Sequence, residues 1–344
     1  MEEHLYKHSE PFELELGTVL PRFQLQYCTA GKLNSDKSNV IWVCHALTAD
    51  AHADVWWEGM VGEDKLFDPD KHFIICVNIL GSCYGSTSPL DTNPETQKLY
   101  LTDFPQYTIR DIVKSLDILR KSLGINQIHT LVGGSMGGMQ AIEWAIQNPE
   151  LPQNLILLAT NAQHSPWGIA FNESQRMMIE ADPTWGDYDL NAAKLGLRAA
   201  RSIALISYRN YEAYWNTQLD TDIEKTNHYK AQSYQQYQGD KLTARFNTHS
   251  YYFLTKAMDS HHVGRSRGGI ERALKLIQAN TLVIGVRSDL LFPPVEQIRI
   301  AKGVDGGKYQ EIDSFYGHDG FLIETKAITE IIIDFYKQNN IQFN

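Results

Sequence analysis

A serine in a glycine-rich turn is the residue of this sequence best suited to chemistry. Ser135 lies in Gly133-Gly134-Ser135-Met136-Gly137, a G-x-S-x-G pattern between a strand predicted over 128–132 and a helix predicted over 139–146. A tight strand-to-helix turn exposes the serine hydroxyl, and glycines leave the room that such a turn requires. The following helix points free N–H groups at the site, which favours developing negative charge. This context predicts a nucleophile, although the pentapeptide alone would also fit an incidental serine in a turn.

Two later residues have the types and the placement that a nucleophilic serine needs. A serine is a poor nucleophile unless a histidine base, oriented by an acid, accepts its proton. Asp289 follows a strand predicted over 281–285, and His318 follows a strand predicted over 309–312. Taken singly, Asp289 could cap a helix and His318 could be an exposed loop residue. Their order after Ser135, each beyond the carboxyl end of a predicted strand, predicts a catalytic triad.

The same placement predicts an oxyanion hole, which requires two N–H donors beside the nucleophile. One donor in a strand–turn–helix site is the backbone of the residue after the serine, here Met136. The other comes from the loop after an earlier strand, and Leu47 holds that position after the strand predicted over 40–44. We therefore predict that the amides of Leu47 and Met136 hold the oxyanion.

The remaining histidines and the cysteines do not predict a metal site. His261 and His262 are adjacent, but they lack a third ligand at helical spacing. A disulfide or zinc framework is equally disfavoured by the four cysteines, which form no CxxC pair: Cys28, Cys44, Cys76 and Cys83. In a chain of this length they are typical of buried, reduced thiols in a cytoplasm.

The elements that must position the triad alternate between strand and helix. Strands are predicted over 12–16, 23–29, 40–44, 73–78, 128–132, 155–159, 281–285 and 309–312, the first two as an antiparallel start. Helices between and after them are predicted over 109–123, 139–146 and 327–337. This alternation predicts an α/β fold, a mostly parallel sheet with helices on both faces.

A helical block interrupts the alternation. Residues 166–278 contain no convincing strand, and helices are predicted there over 171–180, 190–207, 211–217, 229–237, 246–258 and 270–278. We interpret the block as a lid inserted into the sheet domain. The predicted organisation is a first core segment over 1–165, the lid over 166–278 and a second core segment over 279–344.

The composition excludes several classes of protein. The 344 residues include 31 Lys plus Arg against 41 Asp plus Glu, a net charge of −10, which disfavours general nucleic-acid binding. The apolar runs are too short to span a bilayer, and the N-terminus lacks a basic-then-apolar export pattern. The sequence therefore predicts a cytoplasmic protein that binds neither nucleic acid nor membrane.

Together these motifs resemble the homoserine O-acyltransferases of the alpha/beta-hydrolase superfamily, in particular those that transfer acetyl groups. The resemblance extends over nearly the whole chain. It is carried by segments 44–52 (CHALTADAH), 78–87 (NILGSCYGST), 104–111 (FPQYTIRD), 133–140 (GGSMGGMQ), 170–173 (AFNE), 237–239 (YQG), 264–268 (GRSRG) and 317–319 (GHD). The whole set is far more specific than any one segment.

The resemblance implies a two-step transfer without a bound cofactor, as part of methionine biosynthesis. Acetyl-CoA, a co-substrate, would acylate Ser135, and the hydroxyl of L-homoserine would then attack the acyl-enzyme. Arg201 would bind the carboxylate of the acceptor, with Tyr208 two helical turns on, and Asp319 would bind its amine. The family also implies a homodimer assembled through the helical block.

Several alternatives remain open from the sequence. The family includes members that use succinyl-CoA or act on serine, and a serine esterase would use the same triad. Arg201 could be a solvated helix residue, Asp319 a turn residue, and Arg265 and Arg267 either CoA-phosphate ligands or a solvated basic turn. Departures from the family pattern at Ala49, Ser82 and Ser88 leave the donor and acceptor preferences undecided. A non-catalytic binding protein of the same fold is disfavoured because the triad is complete.

Overall fold

An eight-stranded sheet forms the centre of the computed structural model, which describes residues 1–341. Its spatial order is β1-β4-β6-β5-β7-β8-β9-β10, and a separate pair consists of β2 and β3. The strands are β1 (Glu2–His8), β2 (Phe12–Glu13), β3 (Val19–Leu20), β4 (Phe23–Ala30), β5 (Val40–Cys44), β6 (Phe73–Val77), β7 (Ile128–Gly134), β8 (Pro152–Leu158), β9 (Asn280–Val286) and β10 (Lys308–Ile312). Pairing is parallel from β6 through β10 and antiparallel at β1–β4 and β4–β6.

The helices lie between and after these strands. They are α1 (Ala53–Trp56), α2 (Ile109–Ser122), α3 (Met136–Gln147), α4 (Pro166–Glu180), α5 (Lys194–Tyr208), α6 (Tyr211–Gln218), α7 (Lys230–Thr243), α8 (Thr248–Asp259), α9 (Ile270–Leu274), α10 (Pro294–Gly303), α11 (Gly320–Ile323) and α12 (Thr325–Gln338). Helices α4 to α9 all fall between β8 and β9, where the sequence predicts the lid. None of the helices formed by residues 1–341 has the length and apolar character needed to cross a bilayer.

Both faces of the sheet are covered, as the continuous apolar runs predict. In β5, which is buried throughout, Ile41 and Val43 face a core shared with α12, whereas Trp42 faces the core shared with α2 and α3. On the latter face the rings of Trp42 and Trp144 meet edge to face, with centroids 4.9 Å apart. A parallel sheet with this pattern on both faces is the predicted α/β fold, which is confirmed.

The predicted antiparallel start is wrong in its partners. The 12–16 segment does not pair with the strand that begins at Phe23; Phe12–Glu13 pairs instead with Val19–Leu20. Strand β4 pairs with β6 on one side and on the other with Glu2–His8, a strand that the sequence does not predict. This edge strand alternates exposed with half-buried side chains and contains few apolar residues, so it lacks the hydrophobic signal of a core strand.

The parallel pairing brings the functional loops to one edge of the sheet. Strands β5, β7, β9 and β10 point the same way, so the loops that follow them lie at the same edge. Leu47, Ser135, Asp289 and His318 belong to these four loops. Residues separated by up to 271 positions in the sequence are thereby placed around a single site.

Candidate active site

Ser135 occupies a strained turn between β7 and α3. Its backbone has φ 56° and ψ −126°, a conformation that L-residues rarely adopt and that is found preferentially at functional sites. The turn requires glycine at Gly137, where a Cβ would lie 2.0 Å from the carbonyl oxygen of Cys44. β5 and the start of α3 therefore pack backbone to backbone, and α3 begins at Met136 rather than at the predicted residue 139.

The three predicted triad residues form one hydrogen-bonded chain. His318 Nε2 lies 2.9 Å from Ser135 Oγ, and His318 Nδ1 lies 2.7 Å from Asp289 Oδ2. The other carboxylate oxygen, Oδ1, accepts hydrogen bonds from the backbone N–H groups of Leu291 and Phe292 at 2.8 and 2.9 Å. These bonds fix the aspartate, which in turn orients the imidazole toward the serine.

Burial and charge shift the pKa of the catalytic histidine, His318, in opposite directions. Desolvation alone would lower the pKa of His318, since a buried imidazolium loses its hydration. The charge of Asp289 and its hydrogen bond outweigh that effect, and the net pKa of His318 is raised above its ordinary value. The Phe292 ring stacks on the imidazole, with centroids 5.1 Å apart, and helps to hold it in place.

The peptide group that carries the Leu47 amide is held from its carbonyl side. The carbonyl of Ala46 lies 2.9 Å from His45 Nδ1 and accepts a hydrogen bond from the Ala49 N–H at 3.1 Å. The Ile79 N–H donates to His45 Nε2, which leaves Nδ1 as the protonated donor. Because the C=O and N–H of a trans peptide point in opposite directions, the Leu47 N–H points away from His45.

The second predicted oxyanion donor is available for geometric reasons. Met136 is the first residue of α3, and the first N–H groups of a helix have no intrahelical partner. Leu47 and Ser135 line the same cavity. The oxyanion role of the Leu47 and Met136 amides stays a prediction, and this arrangement is the one it requires.

A cavity of about 310 Å³ lies above the serine, between the sheet edge and the lid. It is lined by residues of both parts, including Leu47, Ser135, Arg201, Tyr208, His318 and Asp319. All three predicted substrate-binding residues therefore lie beside the triad. This volume is at the small end of ligand pockets in proteins, as suits a small polar acceptor.

Arg201 brings a half-buried guanidinium to the cavity. Its Nε and Nη1 atoms are buried and have no hydrogen-bond partner among residues 1–341. The guanidinium lies over the ring of Tyr208, 5.2 Å from the centroid, so α5 presents both residues on one face as the sequence predicts. Buried N–H groups without a partner are costly, and an anion entering the cavity would satisfy them.

Asp319 has a partner that the sequence analysis missed. Arg209, the residue that follows α5, forms an ion pair with Asp319 Oδ2 and also lies over the ring of Tyr316. The pair ties the end of a lid helix to the loop of the catalytic histidine. The sequence around Arg209 gives no sign of this contact, because Arg209 and Asp319 are 110 residues apart.

The basic turn near the end of the lid is involved in internal ion pairs. Arg265 Nη2 lies 2.7 Å from Glu15 Oε2, and Arg267 Nη2 lies 2.6 Å from Glu143 Oε1. Neither arginine lines the cavity. These contacts favour a structural role over phosphate binding.

Nothing within residues 1–341 resembles a metal centre: no three His, Cys, Asp or Glu side chains converge there in a way that could hold an ion. The Nε2 atom of His261 lies instead 3.0 Å from the backbone carbonyl of Asn161. The four cysteines are free thiols, three of them buried.

A serine on a strand–turn–helix, with its acid and base after later strands of a mostly parallel sheet, defines an enzyme of the α/β-hydrolase fold. The family model of the alpha/beta hydrolase fold matches residues 39–325. The chain belongs to that fold family.

Within this class the similarity is to homoserine O-acetyltransferases. The homoserine O-acetyltransferase of Cyclobacterium marinum is 50% identical over 340 residues, which cover 99% of this chain and 97% of that protein. The chain therefore belongs to the homoserine O-acetyltransferase family, and the predicted resemblance is confirmed.

Solved structures agree on the fold and include two kinds of enzyme. The homoserine O-acetyltransferase of Bacillus anthracis superposes with a TM-score of 0.89 at 25% identity, covering 97% of each chain. Esterase E22 superposes with a TM-score of 0.87 at 25% identity, covering 97% of this chain and 99% of that one. The overall shape thus does not separate transfer from hydrolysis, and the side chains of the site must do so.

Proposed function

We propose that this protein transfers an acetyl group from acetyl-CoA to the hydroxyl of L-homoserine through an acetyl-Ser135 intermediate. One observation carries the proposal: Arg201, whose buried Nε and Nη1 atoms have no partner among residues 1–341, shares a small cavity with Ser135 and His318 of the triad. An esterase whose acceptor is water has no use for such a cation, whereas an amino-acid acceptor brings a carboxylate.

In the first half-reaction, His318 removes the proton of Ser135 as Oγ attacks the thioester carbonyl. The negative charge of the tetrahedral intermediate falls on the former carbonyl oxygen, which the Leu47 and Met136 amides stabilise. Collapse of the intermediate breaks the C–S bond and leaves acetyl-Ser135. The protonated imidazole gives its proton to the departing thiolate, so CoA leaves as the thiol.

In the second half-reaction, the hydroxyl of homoserine takes the place of CoA. His318 removes its proton as the oxygen attacks the acetyl carbonyl, and the same two amides hold the second oxyanion. The ester bond to Ser135 Oγ then breaks, and His318 returns the proton to the serine. The enzyme is restored and O-acetylhomoserine is released.

The acceptor is a zwitterion, and the cavity offers one charge for each end. Arg201 would bind the carboxylate with two parallel hydrogen bonds, and Asp319, oriented by Arg209, would bind the ammonium group. This pairing leaves the acceptor hydroxyl near Ser135 and His318.

The wider setting is part of the proposal. Acetyl-CoA acts as co-substrate without a bound cofactor, and the reaction belongs to methionine biosynthesis in the cytoplasm; the free thiols are compatible with a reducing compartment. We further propose a homodimer formed through the lid. Its exposed apolar side chains support this, including Ile223 and the stacked rings of Tyr211 and Trp215, with centroids 5.8 Å apart.

The deciding experiment compares thiol release from acetyl-CoA with and without L-homoserine. Release that requires homoserine, with O-acetylhomoserine identified by mass, is the expected result. Equal release without an acceptor would instead establish hydrolysis, the activity to which the similarity with esterase E22 points.

Two controls complete that comparison. The Ser135→Ala variant should release no CoA under either condition, and release that persists would contradict the acyl-enzyme route. Parallel reactions with succinyl-CoA and with L-serine identify the acyl donor and the acceptor by product mass.

A further inference from the structure

An arginine of the lid contacts the oxyanion loop directly. Arg245, in the turn between α7 and α8, donates from Nη1 to the carbonyl of Thr48 at 2.6 Å and to the hydroxyl of Tyr84 at 2.7 Å. Its side chain lines the cavity above Ser135. Arg245 transfers no proton and holds no substrate group in the two half-reactions.

The carbonyl that Arg245 binds belongs to the turn that carries the Leu47 amide. The Ala49 N–H donates to the Ala46 carbonyl at 3.1 Å, so residues 46–49 form a tight turn with Leu47 and Thr48 at its centre. His45 holds this turn at the Ala46 carbonyl, one side of the Leu47 amide. Arg245 holds it at the Thr48 carbonyl, on the other side.

The second partner of Arg245 is itself anchored. The carbonyl of Tyr84 accepts a hydrogen bond from Asn78 Nδ2 at 2.7 Å, and its ring packs edge to face on Phe246, with centroids 5.6 Å apart. Phe246 is buried and directly follows Arg245. The exposed guanidinium thus bridges two loops that are each anchored elsewhere, through two short charge-assisted hydrogen bonds.

We infer that Arg245 is a positioning residue that fixes the oxyanion turn through the Thr48 carbonyl and thereby couples lid placement to transition-state stabilisation. The inference deepens the proposed function and rests on its acyl-serine chemistry. Both half-reactions use the same oxyanion hole, so a displaced Leu47 amide slows both. The cost falls on the transition state rather than on substrate binding.

A competing role for Arg245 is direct contact with a charged group of the acyl donor. The two roles predict different responses to an uncharged donor. A positioning residue is needed whichever donor acylates Ser135, whereas a residue that binds the phosphates of CoA matters for acetyl-CoA alone.

The test measures acylation of Ser135 in the Arg245→Met variant with acetyl-CoA and with p-nitrophenyl acetate. Loss of one oxyanion donor costs on the order of 100- to 1000-fold in rate, and a loosened donor costs less. We expect kcat to fall about tenfold with both donors, with KM nearly unchanged. The ester reaction needs no homoserine, so this result remains interpretable even if the proposed acceptor is wrong.

Matched variants guard against a general disturbance of the lid. Arg198→Met removes a lid arginine that pairs with Asp240 away from the cavity, and it should leave both reactions unchanged. Arg245→Lys should recover part of the rate, because a single ammonium group can reach one of the two acceptors. Tyr84→Phe, which removes one anchor of the guanidinium, should lower kcat with both donors by a smaller factor.

Two outcomes would overturn the inference. Loss confined to acetyl-CoA, or expressed as a rise in its KM, would make Arg245 a donor-binding residue. Rates within twofold of the wild type for Arg245→Met with both donors would show that the oxyanion turn does not depend on it.

Discussion

At the residue scale, proton transfer in this site is governed by the buried pair of His318 and Asp289. The imidazole must be neutral to accept the serine proton. Because the aspartate charge outweighs burial and raises the pKa of His318, the protonated and inactive form persists to a higher pH than for an ordinary histidine. The pair therefore sets the acidic limit of activity as well as the geometry of the base.

We expect kcat/KM to fall tenfold per pH unit on the acid side of a midpoint that lies above 6.5, the ordinary histidine pKa. In Asp289→Asn the burial effect loses its main compensation, so this midpoint should move to lower pH while the maximal rate falls about 10⁴-fold. Initial rates with p-nitrophenyl acetate across the pH range measure both. If Asp289→Asn left the midpoint on the acid side of the kcat/KM profile unchanged, a group other than His318 would control that midpoint.

Single residues differ in how far the sequence predicts them. The triad could be predicted because Ser135, Asp289 and His318 each follow a recognisable strand. The contact between Arg245 and Thr48 joins positions 197 apart, and a bond to a backbone carbonyl leaves no mark on the identity of its partner. The same holds for Arg209, whose role depends on how the lid meets the sheet.

At the element scale, the strand–turn–helix unit is held by backbone contact between β5 and α3. A methyl group added at Gly137 would lie 2.0 Å from the Cys44 carbonyl oxygen. The atoms it meets belong to the main chain of β5 and the residue after it, so they cannot rotate aside as a side chain could. Alanine normally stabilises a helix interior by about 1 kcal/mol relative to glycine. Here the clash must reverse that preference.

We expect Gly137→Ala to lower the free energy of unfolding by about 2–3 kcal/mol and to abolish activity, because the turn that presents Ser135 must shift. Urea denaturation and esterase assays measure the two effects. Gly306→Ala is the control: its φ of 74° disfavours a side chain by about 1 kcal/mol, but nothing lies within 4 Å of the added carbon. Equal losses in the two variants would argue against the close packing.

Elements were predictable where hydrophobic pattern and structure agree. The strand predicted over 40–44 matches β5, and the helix predicted over 109–123 matches α2 to within one residue, with Thr108 and Asp111 forming its capping box. Helix α10 was missed because prolines at 293 and 294 suggest a break, although proline is favoured in the first turn of a helix. The helix predicted over 270–278 ends at Leu274, where the chain turns to enter β9.

At the scale of the whole molecule, the sheet and the lid contribute different parts of the reaction. The nucleophile, base and acid follow strands of the sheet, whereas Arg201 and Tyr208 reach the cavity from α5 in the lid. In the proposed mechanism both half-reactions use the triad and the oxyanion turn that Arg245 holds, whereas the acceptor half-reaction alone uses Arg201 and Tyr208. The division of the chain at 165 and 278 remains a prediction, and the run of helices α4 to α9 between β8 and β9 agrees with it.

Because Arg201 acts only in the acceptor half-reaction, we expect Arg201→Met to impair that half-reaction and to spare the donor half-reaction. Loss of a charge-assisted contact should raise the KM for homoserine about 10- to 100-fold, while the first-turnover release of CoA stays at the wild-type rate. Steady-state kinetics and a rapid-mixing burst measure the two quantities. Arg198→Met, on the same helix, should change neither. If Arg201→Met slowed the burst of CoA as well as weakening acceptor binding, Arg201 would support the triad rather than bind the substrate.

Because β10 lies at the end of the sheet, the three catalytic groups are not held equally firmly by the strands that precede them. Ser135 follows a central strand with a neighbour on each side, whereas His318 follows an outermost strand that is hydrogen-bonded on one side alone. Strands at a margin open more readily than those in the interior. Partial fraying would thus remove the imidazole while the hydroxyl stayed in place, so loss of activity and collapse of the molecule are separable events.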